Sequence, residues 1–151
     1  MKKKHMVTFA VILALFIATS YIIAADYTNL PDRIPTHFDV SGNPDSWGSK
    51  NYLLLYPGFQ ALFLVISSVV YRYPNYMNIP GTIALKYLTK KIRERVYEII
   101  RDILLIAMGL VSFLMFYLAG KNLEVAKGLA MSMNLIPVWI ILACLIPPIV
   151  Y

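Results

Sequence analysis

The sequence predicts an all-α membrane protein with four transmembrane helices, a short external cap loop and a cytoplasmic amphipathic helix. Three observations predict it. The first is composition: of 151 residues, 59% are hydrophobic and 15% charged, against roughly 45–50% and 25% in soluble domains. The second is four stretches free of Asp, Glu, Lys, Arg and His, at 6–25, 52–71, 103–120 and 128–151. The third is a lopsided distribution of Lys and Arg about those stretches. A mean hydropathy of +0.64 leaves too little polar surface to wrap a soluble core. It also excludes a disordered chain, and the single Cys144 excludes both an internal disulfide framework and a cysteine metal site.

At 1.5 Å rise per residue the four stretches reach about 27 to 36 Å, which matches a hydrocarbon layer near 30 Å. They are apolar all round, whereas buried helices of a soluble bundle carry a polar stripe. The first span follows Met-Lys-Lys-Lys-His and ends in Ile23-Ala24-Ala25, a pattern shared with secretory signals. Its apolar run exceeds the 7–15 residues of a signal core, so it is read as an uncleaved span.

Orientation follows from the basic residues. Lys2, Lys3, Lys4, Arg72, Lys86, Lys90, Lys91, Arg93, Arg95 and Arg101 fall on one side, and Arg33, Lys50, Lys121 and Lys127 on the other. Ten against four puts both termini in the cytoplasm of a multi-pass cell-membrane protein. The net charge of +6 is therefore a topology signal, and no basic motif interleaved with aromatics points to nucleic acid.

Between the second and third spans, Leu85, Leu88, Ile92, Val96, Ile99 and Ile103 recur at helical spacing, predicting an amphipathic helix over 82–102. Lys90 with Glu94 and Glu98 with Arg101 are spaced to pair along it. One use of this helix is to rest at the headgroups and run into the third span. Another is to dock a cytoplasmic protein through Leu88, Ile92, Arg93 and Val96.

The external loop, 26–51, is the one long polar stretch on its side. Pro31 and Pro35 bias Leu30 and Ile34 toward extended backbone, and 36–40 is predicted as a short strand with His37 and Asp39 on one face. Ser41-Gly42-Asn43-Pro44 is turn chemistry that folds Asp45 and Trp47 back beside the strand. His37, Asp39 and Asp45 could serve as ligands for a divalent metal or as an acid/base pair in a metal-dependent membrane enzyme. Without a helical frame or a fourth ligand, no metal or cofactor is assigned. The plainer expectation is that His37 and Asp39 hydrogen-bond within the cap, with Trp47 and Lys50 at the interface.

This loop carries a family resemblance. Leu30-Pro31, Ile34-Pro35, His37-Phe38, Gly42, Pro44-Asp45, Trp47-Gly48 and Ser49-Lys50, set between two spans, resemble the domain of unknown function 1648. That domain occurs in small prokaryotic membrane proteins, including the N-terminal part of SdpI-type immunity proteins. The likeness covers residues 6–71 and implies a membrane module over 1–71. By analogy with SdpI-type proteins it implies protection against, or sensing of, a secreted peptide, and recruitment of a cytoplasmic repressor. In those proteins a further multispan region accompanies the role, whereas this chain continues over 72–151 with the amphipathic helix and two more spans.

Inside the spans the polar groups are few, and a coupled transporter would need ionisable groups there. Gln60 and Asn134 lie at similar expected depths, roughly 9 to 12 Å below the outer edge. Two uses follow: an interhelical hydrogen bond, or the floor of an outward-facing pocket roofed by the loop. The expected role is non-enzymatic. Its ligand-facing residues are His37, Asp39, Asp45, Trp47, Lys50, Gln60 and Asn134, and its partners are the lipid bilayer with an external peptide or a cytoplasmic protein.

Overall fold

The computed structural model describes residues 2–73 and 89–145. Helix α1 (Lys3–Asp26) leads through a 3-10 turn (Tyr27–Asn29) into strand β1 (Arg33–Phe38) and its antiparallel partner β2 (Pro44–Ser49). A second 3-10 turn (Lys50–Leu54) starts helix α2 (Leu55–Arg72), and helices α3 (Lys90–Ala126) and α4 (Ile136–Leu145) follow. Among the described residues, α1, α2 and α3 are long and apolar enough to cross a membrane, and α4 is a shorter apolar helix. The chain reads as a small multi-pass membrane protein.

The three long helices pack through a repeat of seven. Buried positions fall at His5, Ile12 and Thr19 in α1, at Leu53, Gln60 and Ser67 along α2 and the turn before it, and at Leu105, Ser112 and Ala119 in α3. This spacing keeps one seam of each helix turned inward, as in left-handed bundles. Several seam residues are small or polar, as expected where lipid is as apolar as leucine and close packing must hold the helices together. The opposite faces expose Val7, Val11, Ile17, Leu62, Val65, Ile106 and Phe113, which suits a hydrocarbon solvent.

The third span runs longer than predicted and the fourth begins later. From Lys90 the amphipathic segment runs into the third span, as one of its expected uses has it, and the helix continues to Ala126 as one unbroken element of 37 residues, about 55 Å long. Its internal glycines are Gly109 and Gly120 and it holds no proline, so nothing interrupts it. Residues 82–88 of the expected helix, Leu88 included, lie outside the described residues.

The fourth span was expected over 128–151, but its first eight residues are turn and loop. The physical reason is the end of α3. Gly128 adopts φ +73°, its N–H donates to the Val125 carbonyl, and the Leu129 N–H donates to the Glu124 carbonyl. That is a Schellman stop, which closes a helix on a left-handed glycine. The chain turns helical again only after Asn134, whose Oδ1 accepts from the Ile136 N–H at 3.0 Å, with Pro137 in the first turn. The described part of α4 spans ten residues, about 15 Å.

The hairpin is fastened to one end of the bundle. Ile34 from β1 and Leu30 before it join Ile23, Leu53, Ala119 and Leu123 in one buried cluster, flanked by Tyr27 and Tyr56. Beside it, Lys127 pairs with Asp26 and Lys50 N–H donates to the Asp32 carbonyl at 3.0 Å. At the opposite end, Lys2 and Lys4 pair with Glu98, and Lys4 reaches Asp102 at 2.5 Å. Glu98 thus ties α3 to the N-terminus instead of pairing with Arg101, while Lys90 and Glu94 stand 4.0 Å apart as spaced.

Candidate functional site

The hairpin is the candidate site, and its geometry begins at the turn. Asp39 Oδ1 accepts from the N–H groups of Ser41 and Asn43 at 2.8 and 2.9 Å, and Oδ2 accepts from the Asn43 side chain at 3.3 Å. Such local bonding is what short carboxylate side chains do in turns. The Asn43 backbone contact is the main cause holding the Asp39 carboxyl below its ordinary range, because donors favour the charged form.

This turn begins earlier than the sequence predicts. The strand occupies Arg33–Phe38 rather than 36–40, since Asp39 and Val40 are drawn into the turn. Pairing is irregular between Pro35 and His37 and between His37 and Phe38, and a bulge of this kind breaks strict alternation. His37 and Asp39 consequently do not act from one face. His37 Nδ1 lies 2.6 Å from Asp45 Oδ1 across the hairpin, while Asp39 is committed to the turn. Among the described residues, no group of three His, Cys, Asp or Glu is placed to hold a metal ion.

The tip of the hairpin is gripped by the loop between α3 and α4. Gly42, at φ +84°, accepts through its carbonyl from the Met133 N–H at 2.7 Å. A Cβ on Gly42 would stand 1.9 Å from the Met133 carbonyl oxygen, so the approach requires glycine. Val40 is 81% exposed, Trp47 51% and, on the gripping loop, Met131 95%. Exposed apolar side chains therefore ride on a backbone pinned at its base and at its tip.

Lys50 is partly buried at the base. Its Nζ donates to the Leu30 carbonyl at 3.3 Å and faces Asp32 Oδ1 at 3.4 Å. It also stands over the Tyr27 ring at 5.3 Å. Arg33 Nη2 donates to the Trp47 carbonyl at 3.2 Å.

Gln60 and Asn134 do not meet. Gln60 is fully buried and its Nε2 donates to the Ser112 carbonyl at 2.9 Å, joining α2 to α3. Asn134 is exposed and starts α4, with its own carbonyl accepting from the Tyr117 hydroxyl at 2.5 Å. The expected pocket floor is thus a sealed interhelical contact, displaced from Asn134 by the loop that replaces the first turns of the fourth span. Of the residues assigned to a cytoplasmic contact, Ile92 is exposed while Arg93 and Val96 are partly buried.

Several structurally engaged residues escaped the sequence reading. Tyr56 accepts from Asn122 Nδ2 at 3.1 Å between α2 and α3. Buried His5 joins Asp102, with Nε2 2.7 Å from Oδ1, and meets the edge of the Tyr71 ring. Arg101 lies over that same ring at 5.4 Å. The available signal was the repeat of seven through His5, Ile12 and Thr19.

Comparison with known proteins agrees with the N-terminal likeness. Residues 14–61 match the family model described as Domain of unknown function (DUF1648). An uncharacterized protein of Archaeoglobus fulgidus is 36% identical over 63 residues, covering 36% of this chain and 34% of that relative. The chain thus matches about a third of that relative's length. No solved structure matches.

Proposed function

We propose that this membrane protein is a non-enzymatic recognition module of the SdpI-like immunity or sensing kind, whose hairpin meets an external peptide or answers envelope stress. In this reading both termini face the cytoplasm of the cell membrane, as the excess of Lys and Arg at the N-terminal end favours. The observation that carries it is the pinned hairpin. Asp39 closes its turn, Gly42 is held by Met133 and Ile34 is sunk in the bundle end, while Val40 and Trp47 stay exposed. A surface held rigid before contact loses less freedom on binding.

The test is protection. Bacterial cells expressing the chain are challenged with cell-free supernatant from a strain that secretes peptide toxins, alongside cells expressing Val40→Asp or Trp47→Ala at equal membrane levels. The proposal expects survival with the native chain and its loss with either variant. Equal survival of expressing and empty cells, or variants that protect as well as the native chain, contradicts it.

A second reading draws support from α3, where Ile92 and Ile99 are half exposed on the part nearest the N-terminal end. There the helix would recruit a cytoplasmic protein, and Ile92→Asp would abolish co-purification of that protein while leaving toxin protection intact.

A further inference from the structure

Between α1 and α2, at the hairpin end of the bundle, lies an open groove of about 490 Å³ lined by Ser20, Ala24, Tyr27, Thr28, Leu54 and Pro57. This is within the range of about 300–1,000 Å³ common for small-molecule sites. Its lining is apolar in effect, because the Ser20 hydroxyl is spent on the Phe16 carbonyl at 2.8 Å. The groove sits in the last two turns of α1 and the first turn of α2, so its depth in a bilayer falls within one leaflet. Every one of these residues falls inside the 14–61 segment that matches the family model.

A cation adjoins one wall of the groove. Lys50 Nζ lies 5.3 Å from the centre of the Tyr27 ring, and Tyr27 is itself a wall of the groove. The carboxylate facing Lys50, on Asp32, is 97% exposed, where water screens the pair. An apolar slot with a positive charge against one of its walls is complementary to a lipid bearing a negative phosphate.

We propose that this groove is a phospholipid site: one acyl chain lies between α1 and α2, and the headgroup phosphate is held by Lys50 beside Tyr27. The lipid would be an integral part of the hairpin's base, since Tyr27 also flanks the buried cluster that holds Ile34.

Native mass spectrometry of the full chain, purified in detergent and titrated with phosphatidylglycerol or phosphatidylcholine, tests this. One phosphatidylglycerol should be retained per chain, at least 5-fold more tightly than phosphatidylcholine. Ala24→Phe fills the groove from a lipid-facing position and should weaken retention of both lipids by 10-fold or more with helical content unchanged. Lys50→Gln should erase the preference for phosphatidylglycerol while leaving retention of phosphatidylcholine as it was.

Undiminished retention in Ala24→Phe overturns the proposal, as does an equal preference for the two lipids in the native chain. A second measurement needs no variant. Phosphatidylglycerol carrying a photoreactive group in its acyl chain, in vesicles with the native protein, should crosslink mainly to residues 20–28 and 54–57. Crosslinks spread evenly onto Ile103, Ile106 and Phe113 of α3 would mark an ordinary lipid annulus and overturn it. Neither experiment involves a peptide, so the outcome is independent of the recognition role.

Discussion

Gly42 and Met133 are in direct contact: the Met133 N–H donates to the Gly42 carbonyl at 2.7 Å, and a methyl group on Gly42 would lie 1.9 Å from the Met133 carbonyl oxygen. This one contact joins the hairpin, which belongs to the first half of the chain, to the loop that precedes the last helix. Gly42→Ala should therefore be costly. A left-handed backbone costs a non-glycine residue about 1–2 kcal/mol, and forcing an atom into occupied space adds about 1–3 kcal/mol. The expected loss is about 2–5 kcal/mol in reversible unfolding in detergent. Ser41→Ala, one position away, should be nearly neutral.

Asp39 makes the turn sensitive to acid. Its carboxyl titrates below the ordinary range in the folded chain, chiefly through the Asn43 backbone donor. A depressed folded value means the contribution is present above the unfolded value and disappears as pH falls through the folded one. Protection of the Ser41 and Asn43 amides, taken relative to their intrinsic exchange rates at each pH, should be high at neutral pH and fall below the usual carboxylate range. Asp39→Asn should flatten that dependence.

The contact from Gln60 to the Ser112 carbonyl holds α2 against α3, and interhelical hydrogen bonds in lipid are worth about 1 kcal/mol. Gln60→Leu keeps most of the volume and should lower stability by about 1 kcal/mol or less. Gln60→Ala leaves a cavity as well and should cost about 2 kcal/mol or more. Equal losses in denaturant titrations of the two variants would mean that packing does not govern this position.

At the N-terminal end, Asp102 serves Lys4 and the buried His5 together. Asp102→Ala strands the His5 ring without its acceptor, and an unsatisfied buried polar group costs about 1–3 kcal/mol. The first turn of α1 should loosen, read as faster proteolysis near Lys3 and Lys4. Lys90→Ala, which removes only an exposed 4.0 Å pair with Glu94, should change nothing measurable.

The three long helices were legible because each lies on a charge-free run that composition alone exposes. The hairpin was legible from Pro31, Pro35 and the Ser41-Gly42-Asn43-Pro44 turn, all local signals. What escaped were relations between distant segments. The 128–135 loop is built from Leu129, Ala130, Met131 and Met133, so by composition it is indistinguishable from a span. Only the Schellman stop at Gly128 and the grip on Gly42 set it apart. The irregular pairing around His37 likewise depends on its partner strand, so the predicted common face for His37 and Asp39 had no local contradiction. Asn122 lay beyond the charge-free limit of the third span, set by Lys121, although α3 runs on through both.

In the proposed topology the helices place the hairpin and the basic N-terminal end on opposite sides of the membrane, hairpin outward. Cysteine accessibility tests it most directly, in a background where Cys144 is replaced by Ser. A membrane-impermeant maleimide should label Ser46→Cys in intact cells and Lys3→Cys only after permeabilisation. Labelling of Ser46→Cys only after permeabilisation, or of both positions in intact cells, would overturn that topology.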